Sequence, residues 1–181
     1  MEIEHATSKN QVIIKFSIIY VLANIGMALV MYILEIMDKS WLVTILSLGV
    51  NAAILFFAMK SRKNDTLNGF MTYGQGLGTG MLILLFGGLV TAVYTFVFYS
   101  YIDPEFIDKI LETSRAEMLK KDMSDEQIDQ ALEMSKKFMS PIMMTIFAYL
   151  GSLFFGLIIS LVLAAVTKRE NPHAAYNKLE S

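Results

Sequence analysis

Apolar positions in this chain fall into four long uninterrupted blocks rather than into alternating or amphipathic stripes. Phe16–Leu34 and Trp41–Met59 are each nineteen residues without a charge, Tyr73 to Tyr101 is uncharged throughout, and so is Pro141–Thr167. A helix rises ~1.5 Å per residue, so each block matches a hydrocarbon layer of ~30 Å. The pattern predicts four membrane-spanning helices at about 14–36, 41–60, 73–101 and 141–167. Lys15 and Glu35 bracket the first, and their aliphatic stems can reach the interfaces. Met37–Ser40 is a tight turn that sets the first two spans antiparallel and adjacent. Trp41 opens the second span, and Tyr94, Phe96, Phe98, Tyr99 and Tyr101 close the third, as interfacial aromatics do. Thr72 stands three residues before Gln75, the spacing of a capping box, and marks the start of the third span.

Between the third and fourth blocks lies a polar stretch, 103–140, with a different period. Asp103 precedes Pro104 and Ser140 precedes Pro141, pairs that read as helix starts with an N-cap oxygen followed by proline at the first helical position. Ile107, Ile110, Leu111 and Met118 share one helical face. Ser124 and Gln127 repeat the capping-box spacing, and Ile128, Ala131, Leu132, Ser135, Phe138 and Met139 follow at i, i+3, i+4, i+7. Two amphipathic helices joined near Lys121–Met123 are therefore expected, an extramembrane hairpin inserted into a single membrane domain. The stripes can pack on each other, on lipid or on a partner. Ten acids against six bases in this stretch disfavour anionic lipid and favour mutual packing.

Composition agrees with the pattern. Of 181 residues, 55% are apolar, above the usual globular range. The net charge of −2 offers no basic patch for nucleic acid. There is no cysteine, which excludes disulfides, thiolate metal sites and cysteine nucleophiles. The N-terminus is acidic and lacks a basic signal-peptide n-region, so the first block reads as a retained span. The N-terminal tail, the 60–73 loop and the C-terminal tail together carry eight Lys or Arg near span ends. The positive-inside rule then places both termini in the cytoplasm and the hairpin outside it.

Polar and small residues within the blocks are the candidates for chemistry. Ala148, Ser152, Gly156, Ser160 and Ala164 recur every fourth position in the last span, and Gly76, Gly80, Gly87 and Thr91, with Gly88 beside them, form a comparable face in the third. Such faces permit close backbone approach, within the chain, between copies or with another membrane protein. Their functional alternative is a pore lining. Gly74 to Gly80 carries four alternate glycines, but a phosphate loop needs a preceding strand and a closing Lys-Ser or Lys-Thr, and neither is here. Asn24 and Asn51 lie near mid-membrane and should face other helices, through an interhelical hydrogen bond or a solute path. No acid, histidine or lysine lies deep in a span, which disfavours proton- or ion-coupled transport. His5 and His173 are terminal, and the methionines around the hairpin, Met118, Met123, Met134, Met139, Met143 and Met144, are expected to fill gaps rather than hold copper. No catalytic, cofactor-binding or metal-ligating residues are expected, and an enzyme is disfavoured.

Several stretches in order resemble a known family: Tyr101 to Phe106, Met123 to Ile128, Lys137 to Pro141, Phe147 to Ser160, and the basic Lys168-Arg169. The chain looks like a bacterial membrane-protein family known as a domain of unknown function, numbered 4199, over roughly residues 10–170. The resemblance implies four spans and a bacterial host, and no activity or site residues. The expectation is an all-α integral protein of the bacterial inner membrane. It acts as a non-enzymatic scaffold or interaction subunit, or alternatively as a small transporter or channel subunit with a path lined by Asn24, Asn51 and the glycine face.

Overall fold

A computed structural model describes residues 8–34 and 40–172. The described residues form six α-helices: α1 (Lys9–Ile33), α2 (Ser40–Ser61), α3 (Tyr73–Val97), α4 (Phe106–Leu119), α5 (Asp125–Phe138) and α6 (Pro141–Thr167). Four of them, α1, α2, α3 and α6, are long and apolar enough to cross a membrane. The architecture is an all-α integral membrane one. The turn expected at Met37–Ser40 falls almost wholly outside the described residues.

Local chemistry accounts for the helix boundaries. α3 starts where expected: the Thr72 hydroxyl accepts from the Gln75 N–H at 3.3 Å, and the Gln75 side chain accepts from the Thr72 N–H at 2.9 Å. α6 starts at Pro141, with the Ser140 hydroxyl accepting from the Met143 N–H at 3.4 Å. α1 begins about five residues before the expected boundary. Ser8 and Gln11 form a capping box that the polar tail conceals, and Val12, Ile13 and Phe16 bury one face of the extra turns. α2 does not give way to a loop at Lys60. It continues as a π-helical turn, Arg62–Thr66, and the chain reverses at Asn68 and Gly69, both at positive φ.

Asp103 and Pro104 do not start a helix. A π-helical turn, Phe98–Ile102, extends α3, and the Asp103 N–H donates to the Phe98 carbonyl to close it. Proline at 104 keeps Asp103 out of the α region (φ −136°, ψ 78°). Two more residues are needed before α4 begins at Phe106. The Asp103 carboxylate pairs with Lys109 at 3.1 Å instead of capping.

The chain divides into two compact units, Met1–Thr91 with Gly151–Ser181, and Ala92–Leu150. In the first, the core comprises Val12, Ile13, Phe16 and Tyr20 of α1, Ile54, Leu55 and Ala58 of α2, and Ile83 and Leu84 of α3. A β-carbon on Gly76 would lie 3.2 Å from Ala164 Cβ, while Gly80 faces Ser160 and Gly156 faces Leu84. Rising positions on α3 meet falling positions on α6, so the two helices run antiparallel. Backbone hydrogen bonds of 2.8 and 2.9 Å between Met71 and Arg169 tie their shared end. Outward faces are apolar too: Ile14, Leu22, Phe57, Phe86 and Phe154 are each more than half exposed. A water-soluble bundle places polar residues on that side. These faces suit hydrocarbon as solvent.

The second unit contains the helical hairpin. α4 and α5 pack on each other, with Leu111 and Ile128 buried. Arg115 and Asp129 pair at 3.5 Å between them. Ser124 and Gln127 form the expected capping box. Ile107, Ile110, Met118, Ala131, Leu132, Ser135 and Met139 are half-buried, as their spacing requires. Phe138 departs from its stripe and is 55% exposed, because α5 ends there and Met139 turns in its place. Phe98, Tyr99 and Phe106 cluster beside the hairpin, Tyr99 stacked on Phe106 at 5.6 Å and Phe98 edge-on to it at 5.8 Å.

Candidate functional site

The two mid-membrane amides meet each other. Asn24 Nδ2 donates to Asn51 Oδ1 at 3.0 Å and to the Tyr20 carbonyl at 2.8 Å, and Asn51 Nδ2 donates to Asn24 Oδ1 at 3.4 Å. The Ser47 hydroxyl lies 3.9 Å from Met27 Sδ in the same α1–α2 seam. In hydrocarbon an amide without a partner is costly, so reciprocal pairing is the arrangement that removes the cost from both helices. Each amide thus has the other as its partner, and both side chains are half-buried.

The small-residue faces are likewise engaged within the chain. Gly76, Gly80, Gly87, Gly156 and Ser160 are buried, and Ser152 is half-buried with its hydroxyl hydrogen-bonded to Tyr20. Gly87 serves a different neighbour from the other α3 glycines. A β-carbon there would lie 2.9 Å from the Tyr20 ring and 3.2 Å from the Ser17 carbonyl, so it admits α1 where Gly76 and Gly80 admit α6. Ala148, counted on the same periodic face, is exposed and lies in the other unit. All four glycines from Gly74 to Gly80 sit inside α3, where an unbroken helix leaves no loop to cradle a phosphate.

One feature of the first unit is not apparent from the sequence pattern. Arg62 is only 7% exposed. Its guanidinium donates to the Gln75 carbonyl at 2.8 Å and to the Thr79 hydroxyl, and no carboxylate pairs with it among the described residues. It joins the end of α2 to the start of α3. Lys63 Nζ donates to the Thr167 carbonyl at 3.3 Å, where a cation offsets the negative end of the α6 dipole. Arg169 lies over the Phe70 ring at 5.6 Å, in cation–π range. The residues that looked like loop positives, counted for topology, thus lock three helix ends together. An arginine in the last turn of a span, followed within twenty residues by a Thr and Gln on the next helix, was the available signal.

A lateral groove of about 740 Å³ runs between α1 and α3 in the first unit. In the second unit, Tyr101, Ile102, Leu119, Met134 and Phe138 are exposed apolar side chains on or beside the hairpin. Met134 and Met143 face outward too. No cluster of His, Asp or Glu suited to a metal occurs among the described residues, and His5 and His173 lie outside them.

A family model described as Protein of unknown function (DUF4199) matches residues 15–169. No curated protein and no solved structure matches the chain.

Proposed function

The chain belongs to this family of proteins of unknown function, and from that premise we propose that it is a non-enzymatic scaffold or interaction subunit of a bacterial cytoplasmic membrane. The observation that carries this reading is the hairpin. It is an ordered pair of packed helices, the second opened by a capping box, that buries Leu111 and Ile128 yet keeps Leu119, Met134 and Phe138 exposed among charged side chains. Exposed apolar side chains rimmed by charge are what a protein partner buries. Gly76, Gly80, Gly87 and Gly156 pack against side chains within the chain, whereas the hairpin offers apolar side chains that do not. The basic residues gathered where α1 and α3 begin and α2 and α6 end support cytoplasmic termini and an extracytoplasmic hairpin. A transport reading ranks below this one. The amides that motivated it are bonded to each other, and the glycine face that would complete a path packs against Ser160, Ala164 and Tyr20.

Deleting residues 105–139 should leave a protein that still inserts and melts as a helical bundle but loses its crosslinked partners in the native membrane. A partner set unchanged by the deletion overturns the reading.

A further inference from the structure

We propose that the groove between α1 and α3 seats one phospholipid of net negative headgroup charge, drawn from the leaflet on the basic side of the bundle. The groove begins at Lys9 and runs along Ile14, Ile18 and Leu22 of α1, opposite Phe86 and Val90 of α3. Thirteen residues of helix separate Lys9 from Leu22, about 20 Å at ~1.5 Å per residue. Half of a bilayer with its headgroups is also about 20 Å. The groove therefore extends from headgroup level to mid-membrane, the length of one lipid molecule in one leaflet.

The two ends of the groove differ as the two ends of a lipid do. Ile14, Ile18, Leu22, Phe86 and Val90 are all more than half exposed and offer an apolar channel. Gly87 accounts for the channel's depth. With no side chain there, α1 closes onto α3 through Ser17 and Tyr20, while Phe86 and Val90 stand up as the rim. Ser17 lies in the floor, 9% exposed, with a hydroxyl that finds no partner among the described residues. At the other end are the Lys9 ammonium and the Asn10 side chain, in the first turn of α1, where the helix dipole is positive. Lys9 pairs with no carboxylate among the described residues. α1 touches the 62–66 turn, so the same end of the unit carries Lys60, Arg62, Lys63, Lys168 and Arg169 against only Asp65 and Glu170 among the described residues. That imbalance selects a phosphate whose charge is not cancelled by a headgroup amine, which means phosphatidylglycerol or cardiolipin chemistry rather than a zwitterion.

The test uses the full chain, purified in a neutral detergent and stripped of lipid, titrated with phosphatidylglycerol or phosphatidylcholine of identical chains, with adducts read by native mass spectrometry. One lipid should bind first, with phosphatidylglycerol favoured by about five-fold, the preference one lysine confers at an anionic surface. Lys9→Gln should bring the two lipids to parity without abolishing binding. Ile18→Trp, which fills the groove, should weaken both, and Leu46→Trp on the exposed face of α2 should change neither. Helical melts establish that each variant is folded. Glycerol phosphate, which lacks chains, should not compete. Equal binding of the two lipids by the native chain, or a preference that survives Lys9→Gln, overturns the site. So does a dimer that Ile18→Trp dissolves while lipid binding stays the same, an outcome that assigns the groove to a second copy.

Discussion

Removing either amide of the Asn24–Asn51 pair leaves the other in hydrocarbon without its partner, which makes the pair a sharp test of the α1–α2 seam. Asn51→Leu should cost roughly 0.6–2 kcal/mol, read as a lower unfolding midpoint in detergent. The double variant Asn24→Leu/Asn51→Leu should cost clearly less than the sum of the two single changes, because no orphan amide remains. Additive losses would mean that the two side chains do not meet. The α3 glycines allow an equally direct comparison. A side chain at Gly80 runs into Ser160 and Met59, whereas a β-carbon at Gly78 meets nothing within 4 Å. Gly80→Val should destabilise by roughly 1–3 kcal/mol through overpacking. Gly78→Ala should be neutral or stabilising by up to about 1 kcal/mol, the helix propensity gained. The sequence presents these two glycines identically, in one alternating run, and only the positions of α6 and α2 separate them.

Helix starts were legible where a side chain and a backbone group three residues apart carry the signal. Thr72 with Gln75, Ser124 with Gln127, and Ser140 with Pro141 all cap as their spacing predicts, because capping is local chemistry. Asp103 shows the limit of the same argument. Its carboxylate had a second suitor in Lys109, and the π turn behind it determined where the backbone pointed. Phe138 shows another, since a stripe counted by period does not know where its helix ends. Ser124→Ala should cost about 1 kcal/mol, felt locally. Hydrogen exchange in the first turn of α5 should speed up while protection in α1 and α2 stays constant, and uniform acceleration would tie the hairpin's stability to the span core.

Sidedness belongs to the molecule as a whole. The chain has no cysteine of its own, so single introduced thiols report cleanly. Glu117→Cys in α4 should react with an impermeant maleimide from outside intact spheroplasts. Asn64→Cys, in the π turn after α2, should react only after the membrane is opened. The reverse pattern would invert the topology while leaving every intramolecular contact described above intact.

By itself the sequence determined the four helices long and apolar enough to cross a membrane, the two amphipathic helices between the third and the fourth, and most helix starts. Those depend on run length against bilayer thickness, on helical period, and on oxygen-to-amide spacings along a few residues. It did not determine which face of each span looks where. The four runs are apolar nearly all the way round, so hydropathy carries almost no rotational information about them. Rotation and height were decided only when the helices met. That is why the pairing of Asn24 with Asn51, the seating of Gly80 on Ser160, the burial of Arg62 against Thr79 and the groove that opens beside Gly87 are properties of the tertiary structure alone.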